Sequence, residues 1–218
     1  MPPREISTRL RVLIADDIQV TRRNTRLMLA MNPDVSVVAI AKDGKQAIEM
    51  ARDTKPDIAI MDINMPKVDG LSAFEAMRKT NPNLACIVIS GEKNSVMLRK
   101  AISVGAREYL IKPFTVDELT HAVKNVGQKV IETRKREAQL ERVRQQREAY
   151  VKQLALEYAK SRRTDDQAVA VFEHLAKNPD CEIRWLRILA MIYVIRQEWG
   201  KLYFLAKRLN HQSKGSEK

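Results

Sequence analysis

The sequence predicts an α/β domain built on a five-stranded, doubly wound parallel sheet, followed by a linker helix and a small all-α domain. Two observations predict the first part: over residues 1–126, short β-branched apolar runs alternate with longer amphipathic stretches, and polar or turn residues bound each run. A third observation predicts the helical part, because no glycine occurs between Gly127 and Gly200.

The apolar runs are too short for buried helices and are continuous rather than alternating, which is typical of strands buried on both faces of a parallel sheet. The predicted strands are, in chain order, Val12–Ala15, Val35–Ile40, Ile58–Met61, Cys86–Ile89 and Tyr109–Ile111.

The stretches between the runs carry apolar residues at helical spacing. The predicted helices are Val20–Met31, Lys45–Arg52, Leu71–Thr80, Ser95–Val104 and Val116–Val126. Strict alternation of strand and helix implies right-handed crossovers and helices on both faces of the sheet. The Asp-Gly pairs at 43–44 and 69–70 are interpreted as turns.

Residues 127–150 are almost all charged or amide-bearing, and they predict an exposed linker helix that extends the helix before it. The positions at coiled-coil spacing include Thr133, Glu137, Arg144 and Arg147. Because a coiled-coil seam requires apolar residues, a solvated or partly dimeric helix is favoured over a stable coiled coil.

A weak internal repeat occurs over residues 151–210. Leu154–Tyr158 corresponds to Leu189–Tyr193 at a spacing of 35, and an amphipathic helix follows each segment, Asp166–Lys177 or Trp199–Asn210. The pattern resembles the helix pairs of tetratricopeptide repeats. Two units are fewer than the three or so that such a stack needs, so a generic four-helix bundle stays open.

Two positions depart from that repeat pattern. Arg162 and Gln197 stand where a glycine often ends the first helix of a pair. Residues 211–218 are predicted to form a disordered tail.

Composition places the chain among globular proteins, with 44% hydrophobic and 30% charged residues. No apolar stretch approaches the roughly 18 residues of a membrane span, and the first residues lack a signal-peptide apolar region. We therefore expect a cytoplasmic protein. Cys86 and Cys181 show no metal-ligand or disulfide spacing and are expected to be buried.

The net charge of +12 is concentrated in the second half of the chain. Residues 1–124 contain 19 basic and 15 acidic side chains, whereas residues 125–218 contain 20 and 12, a net charge of +8. A basic region favours an acidic partner or nucleic acid.

Chemically distinctive residues follow four of the five predicted strands. Asp16 and Asp17 follow the first strand, Asp62 the third, Ser90 the fourth and Lys112 the fifth. Because the carboxyl ends of parallel strands share one edge of the sheet, where ligands bind, we expect these side chains to meet there.

Three carboxylates at one edge repel each other unless a cation is present, and oxygen ligands favour Mg²⁺. Lys112 can reach a carboxylate or a phosphoryl oxygen, and Ser90 can donate a hydrogen bond to it. The group suits phosphoryl transfer with an aspartate as covalent acceptor. Taken singly, Asp-Asp is typical of a helix N-cap and Lys-Pro of a turn, so the prediction depends on the ordered combination.

The ordered motifs are Asp16-Asp17, MDINMPKVDG at 61–70, Ser90-Gly91, and YLIKPF at 109–114. Together, over about residues 10–126, they resemble the receiver domain of two-component response regulators, which has a flavodoxin-like fold.

The resemblance implies a role for each matching residue. Asp62 would be the phosphoacceptor, with a histidine kinase or a phosphotransfer protein as the phosphoryl donor. Asp16, Asp17 and the backbone carbonyl of Asn64 would bind the metal ion. Ser90, Tyr109 and Lys112 would contact the phosphoryl group or switch with it. The peptide bond before Pro113 would be cis.

Three classes of output are open for residues 127–218. The region offers no nucleophile–base set, Gly-rich loop or metal cluster, so an output enzyme is disfavoured. A helical module that binds a protein partner or forms a homodimer is favoured, and DNA or RNA binding is the alternative because of the basic charge.

Overall fold

The structure is a computed structural model that describes residues 9–91, 95–179 and 181–215, with side chains described as far as Lys207. The chain divides into two compact units, Met1–Arg136 and Glu137–Lys218.

The first unit contains a five-stranded parallel sheet with strand order β2-β1-β3-β4-β5. The strands are β1 Leu10–Ala15, β2 Val35–Ala41, β3 Ile58–Asp62, β4 Ala85–Ser90 and β5 Glu108–Ile111. This order confirms the doubly wound fold that the alternating pattern predicts.

Helices cover both faces of the sheet. They are α1 Gln19–Ala30, α2 Gly44–Thr54, α3 Gly70–Thr80, α4 Ser95–Ser103 and α5 Val116–Lys160. Along β1, Leu13 and Ala15 join a core with α2, α3 and α4, whereas Val12 and Ile14 join a second core with α1 and α5. Two apolar faces explain why the strands are continuous apolar runs.

The two Asp-Gly pairs are helix starts, so their interpretation as simple turns is wrong. Asp43 is the N-cap of α2 and accepts a hydrogen bond from the Gln46 backbone N–H, and Asp69 caps α3 in the same way. Each glycine is therefore the first residue of its helix. Such caps satisfy N–H groups that have no partner within the helix.

Helix α5 is 45 residues long and runs through the predicted boundaries at residues 126 and 150. Every side chain over residues 139–150 is exposed, as the sequence predicts for the linker segment. Before that segment, Arg134 forms an ion pair with Asp57, which precedes β3, and so ties α5 to the sheet. The compact units divide just after this contact, at residues 136/137.

The second unit combines the end of α5 with α6 Asp166–Ala176, α7 Ile183–Ile195 and α8 Trp199–Gly215. Its core contains Phe172, Trp185 and Cys181, and the other cysteine, Cys86, is buried in the first unit. Helix α8 continues past the predicted start of the tail at residue 211, and residues 216–218 lie outside the described residues.

The two copies of the weak sequence repeat contain the same type of backbone turn at equivalent positions. Arg162 and Gln197 adopt left-handed φ angles of 52° and 58°. The next residue donates a backbone hydrogen bond to a tyrosine carbonyl in each case, to Tyr158 at 3.0 Å and to Tyr193 at 2.9 Å. The spacing of 35 is thus kept in the local structure as well as in the sequence.

None of the described helices is both long enough and apolar enough to cross a membrane.

Candidate functional site

The carboxyl edge of the sheet brings together side chains from three separate strand ends. Asp62 is the last residue of β3, Asp16 directly follows β1, and Lys112 directly follows β5. Both aspartates are almost fully buried, with 1% exposure for Asp16 and 4% for Asp62. The predicted convergence of these three residues is present in the structure.

A single ammonium group bridges the two buried carboxylates. The Nζ atom of Lys112 lies 2.7 Å from Oδ2 of Asp16 and 2.7 Å from Oδ1 of Asp62. The backbone N–H of Lys112 donates to the carbonyl oxygen of Ser90 at 2.8 Å, which fixes the lysine against the end of β4. Charge-assisted contacts of this kind are stronger than hydrogen bonds between neutral groups.

Burial raises the pKa of Asp62, and the neighbouring charges of Asp16 and Asp17 raise it further, whereas Lys112 opposes the shift. For Lys112 itself, burial acts to lower the pKa, but the hydrogen bonds to the two carboxylates outweigh it and raise the pKa. The lysine is therefore held as a cation next to a carboxylate whose ionised form is disfavoured.

Asp16 also organises the start of α1. Its Oδ1 atom accepts a hydrogen bond from the Ile18 backbone N–H at 2.8 Å, and its backbone oxygen accepts one from Nη1 of Arg22 at 2.6 Å. Sequence reasoning missed Arg22, and nothing in the sequence pattern distinguishes it from the adjacent Arg23.

The other predicted site residues lie around this centre. Asp17 and Asn64 are exposed, and Ser90 is buried at the end of β4. Tyr109 on β5 is half-buried and packs against the core beneath α2, α3 and α4. The Lys112–Pro113 peptide bond is cis.

The loop after Asp62 depends on two glycines. A Cβ atom at Gly70 would collide with the backbone oxygen of Asp62, and one at Gly44 would collide with that of Val68. The Gly70 N–H donates to the Ile63 carbonyl at 3.0 Å and closes the loop. These glycines therefore permit close approaches of backbone to backbone beside the phosphoacceptor candidate.

Lys67 is a second residue that sequence reasoning missed. It has a left-handed φ of 68°, and its Nζ atom lies 2.6 Å from Oδ2 of Asp43. This contact connects the loop after β3 to the start of α2 and lowers the pKa of Asp43. Lys67 lies in the motif at residues 61–70, but its partner Asp43 is 24 residues away in the sequence.

The donor groups at this edge fit Mg²⁺. Among the described residues, no group of three or more acidic, histidine or cysteine side chains is arranged so that it could hold a metal ion by itself. Mg²⁺ in proteins is usually held by one or two carboxylates together with water and phosphate oxygens, so a full cage is not required. Asp16 and Asp62 already share one cation, the Lys112 ammonium, and exposed Asp17 raises the pKa of Asp62 through its charge.

Comparison with protein families assigns the first part of the chain to one family. The family model of the response regulator receiver domain matches residues 12–124. The region beyond, which is helical, is not assigned to a family.

Curated relatives agree over the same segment. The chain is 35% identical over 120 residues to the transcriptional regulatory protein DegU of Brevibacillus brevis, covering 55% of this chain and 51% of DegU. It is 34% identical over 113 residues to the chemotaxis protein CheY of Bacillus subtilis, covering 52% of this chain and 93% of CheY. The chain thus spans about half the length of DegU.

Solved structures share the fold of this segment. The REC domain of AraT, a response regulator from Geobacillus stearothermophilus, has a TM-score of 0.54 and 33% identity, covering 57% of this chain and 98% of that domain. The receiver domain of NarL from Mycobacterium tuberculosis has a TM-score of 0.53 and 29% identity, covering 55% and 97%.

Proposed function

Because this chain belongs to the response regulator receiver family, we propose that Asp62 is its phosphoacceptor in a two-component phosphorelay. The observation that carries the proposal is the position of the Asp62 carboxylate, buried at the end of β3 and 2.7 Å from the Lys112 ammonium. A histidine kinase or a phosphotransfer protein would be the phosphoryl donor.

In the proposed reaction, an Asp62 oxygen forms a bond to phosphorus as the N–P bond of a phosphohistidine breaks. The electron pair of that bond stays on the imidazole nitrogen of the donor. Lys112 holds the Asp62 oxygen it contacts and offsets negative charge on the transferring group. Lys112 also holds Asp16, so the charges nearest the reacting oxygen are fixed before transfer.

We propose that Asp16, Asp17 and the backbone carbonyl of Asn64 bind Mg²⁺. When bound, Mg²⁺ would neutralise phosphoryl oxygens and lower the repulsion between donor and acceptor. Asp17 directly follows Asp16, and Asn64 lies two residues after Asp62. Both residues are exposed and so accessible to a cation from solvent, which supports this assignment.

After transfer, the phosphoryl group adds up to about two negative charges at the edge of the sheet. Ser90 would turn its hydroxyl group toward the new oxygens, and Tyr109 would change rotamer with it. The backbone hydrogen bond from Lys112 to Ser90 supports this coupling, since it joins the ends of β4 and β5. Movement there would reach α5, which follows β5 directly.

We further propose that the helical region is the output and that it binds a protein partner or forms a homodimer. The shared turns at Arg162 and Gln197 support two consecutive helix pairs of the tetratricopeptide type. DNA or RNA binding is the second candidate, and the net charge of +8 over residues 125–218 favours it.

The test of the phosphoacceptor is incorporation of phosphate from acetyl phosphate, measured by intact-protein mass with and without Mg²⁺. We expect Mg²⁺-dependent addition of one acid-labile phosphoryl group to the parent chain and none to Asp62→Asn. Asp53→Asn is the matched control, because Asp53 is exposed on α2 and should leave labelling unchanged. Retained labelling of Asp62→Asn would remove Asp62 from this role.

A further inference from the structure

Helices α7 and α8 form a hairpin whose turn end carries large apolar side chains in contact with solvent. Met191 and Ile195 lie on the last turns of α7 and are more than 60% exposed, and Trp199 and Tyr203 on the first turns of α8 are 60% and 59% exposed. Phe204, at 73%, adds a further exposed ring. We call these five residues the hairpin surface.

The side chains of the hairpin surface are not needed for the core of the second unit. The core-facing residues of α7 do not include Met191 or Ile195. The buried residues of this helix are Trp185, Leu186, Leu189, Ile192 and Tyr193. Free space is also present beside the surface, because a Cβ atom at Gly200 would meet nothing within 4 Å. Exposed apolar clusters on a small domain mark sites of interaction.

A short turn joins two helices whose exposed side chains follow a similar order along each helix. It contains only residues 196–198, so Ile195 and Trp199 lie at the same end of the hairpin. Going away from the turn in steps of four, α7 presents Met191 and then Arg187, and α8 presents Tyr203 and then Lys207. Each row is apolar near the turn and basic about 12 Å from it, given a rise of about 1.5 Å per residue.

The two basic residues at the far ends of the rows are available to a partner. In the part of the chain that the structure describes, neither Arg187 nor Lys207 forms an ion pair with a carboxylate. Lys207 instead places its Nζ atom 4.7 Å from the centre of the Tyr203 ring. By contrast, Arg196 and Lys201 are already paired with acidic side chains.

The local charge indicates which partner fits. Residues 183–210 contain six basic side chains and one acidic side chain, Glu198. A second copy of this chain would bring like charges together beside the hairpin surface, at Arg187 and Lys207, which opposes self-association there. Nucleic acid matches the charge, and unpaired bases can stack on aromatic rings, but such stacking leaves the aliphatic side chains of Met191 and Ile195 uncovered.

We propose that the hairpin surface binds an acidic amphipathic helix, whose apolar side chains cover the turn end and whose carboxylates reach Arg187 and Lys207. The helix-in-groove mode uses apolar residues spaced in this way, and aromatic residues provide much of the binding energy at such interfaces. The inference rests on the proposed output role of the helical region, and it names the chemical class of the partner.

The test uses the full chain and a fluorescein-labelled helical peptide of about 18 residues, with leucines at i, i+3, i+4 and i+7 and glutamates elsewhere. Fluorescence anisotropy should show saturable binding of this peptide and much weaker binding of a peptide with lysines in place of the glutamates. We expect Trp199→Ser and Phe204→Ser each to weaken binding about tenfold or more. Leu156→Ser is the control, because Leu156 is exposed on α5, outside the hairpin, and should leave binding unchanged.

A charge reversal tests the basic ends of the rows separately. The double variant Arg187→Glu/Lys207→Glu should lose its preference for the glutamate peptide and gain affinity for the lysine peptide. Because all of these side chains are exposed, we expect the circular dichroism spectrum of each variant to match that of the parent.

Four results would overturn the inference: no binding up to about millimolar peptide, equal binding of both peptides, a dimer that dissociates in Trp199→Ser, or single-stranded RNA binding that Phe204→Ser abolishes. Phosphorylation of the same variants by acetyl phosphate is measured in parallel. Absence of phosphoryl labelling in the parent chain would contradict the phosphoacceptor proposal. Absence of peptide binding alone would contradict only the inference about the hairpin surface.

Discussion

At the scale of single residues, Lys112 determines the charge balance of the candidate site. Among the described residues it is the one side-chain cation that forms an ion pair with the buried carboxylates of Asp16 and Asp62, so the three groups together keep a net negative charge. Exposed Asp17 adds to it. Burial is the main reason why the pKa of Asp62 is raised despite its ion pair, and the charges of Asp16 and Asp17 raise it further. The excess negative charge favours the binding of a divalent cation at the same edge.

The raised pKa of Asp62 gives a prediction about stability. Since the folded state raises this pKa above the ordinary value of 3.8, ionisation of Asp62 destabilises the fold as pH rises through the folded-state pKa. Asp62→Asn should therefore melt at a higher temperature than the parent at pH 7 without Mg²⁺, and the difference should shrink as the pH is lowered toward 3.8. Thermal melts followed by circular dichroism measure it, with Asp53→Asn as the exposed control. A lower melting temperature for Asp62→Asn at pH 7 would show that its contact with Lys112 outweighs burial.

At the scale of secondary-structure elements, the local pattern predicts most of the structure of the first unit. The five strands and the helices around them lie within about two residues of their predicted ends, because a buried run ends where its apolar residues end. The end of α5 is the exception, because the predicted linker helix stops at residue 150 and α5 continues to Lys160. No glycine or proline lies between residues 128 and 160 to end the helix earlier.

Contacts between distant parts of the chain could not be predicted in this way. Asp57 and Arg134 are 77 residues apart, and neither stands out from its neighbours in the sequence. The same holds for Lys67 and Asp43 beside the candidate site. The site residues at the strand ends could be predicted, because the topology of a parallel sheet alone brings them to one edge.

The two left-handed helix ends lead to a prediction about the second unit. Arg162 and Gln197 have a left-handed backbone conformation. This conformation costs roughly 1–2 kcal/mol for residues other than glycine. Arg162→Gly and Gln197→Gly should each increase the free energy of unfolding by about 0.5–1 kcal/mol, after the greater freedom of glycine in the unfolded chain is subtracted. Urea unfolding measures the change.

The matched control for these variants is Gln153→Gly, since Gln153 is exposed in the regular part of α5. There glycine should reduce the free energy of unfolding by about 1 kcal/mol. If all three variants were destabilised to the same degree, glycine would not be favoured at residues 162 and 197. The left-handed turns would then no longer support the proposed repeat.

At the scale of the whole molecule, the boundary of the family match and the boundary of the compact unit differ. The receiver family matches residues 12–124, whereas the first unit continues to Arg136. The added turns of α5 still pack on the sheet, through Val126, Val130 and Ile131. Helix α5 therefore begins as part of the receiver core and continues into the second unit, which makes it the one element through which a change at Asp62 can be transmitted along the backbone.

The distribution of charge along the chain bears on the choice between the two proposed outputs. The exposed segment of α5 carries Arg142, Arg144 and Arg147, but one of them is paired with Glu148 at 3.5 Å. In the second unit, Arg163, Arg184 and Lys201 are also paired with acidic side chains. Phosphate groups would have to compete for these basic residues, so we expect only weak binding to DNA.

That expectation can be tested by fluorescence anisotropy on two DNA duplexes of different sequence. The affinities should agree within about twofold and should fall about 10- to 100-fold between 50 and 200 mM salt, because phosphate contacts alone release counterions. Replacing Arg142 and Arg147 with Gln should reduce the slope of log affinity against log salt by about 2, since each removes one phosphate contact. Binding that resists salt and discriminates between the duplexes would instead require base contacts, and the output of this chain would then be recognition of nucleic acid rather than of a protein partner.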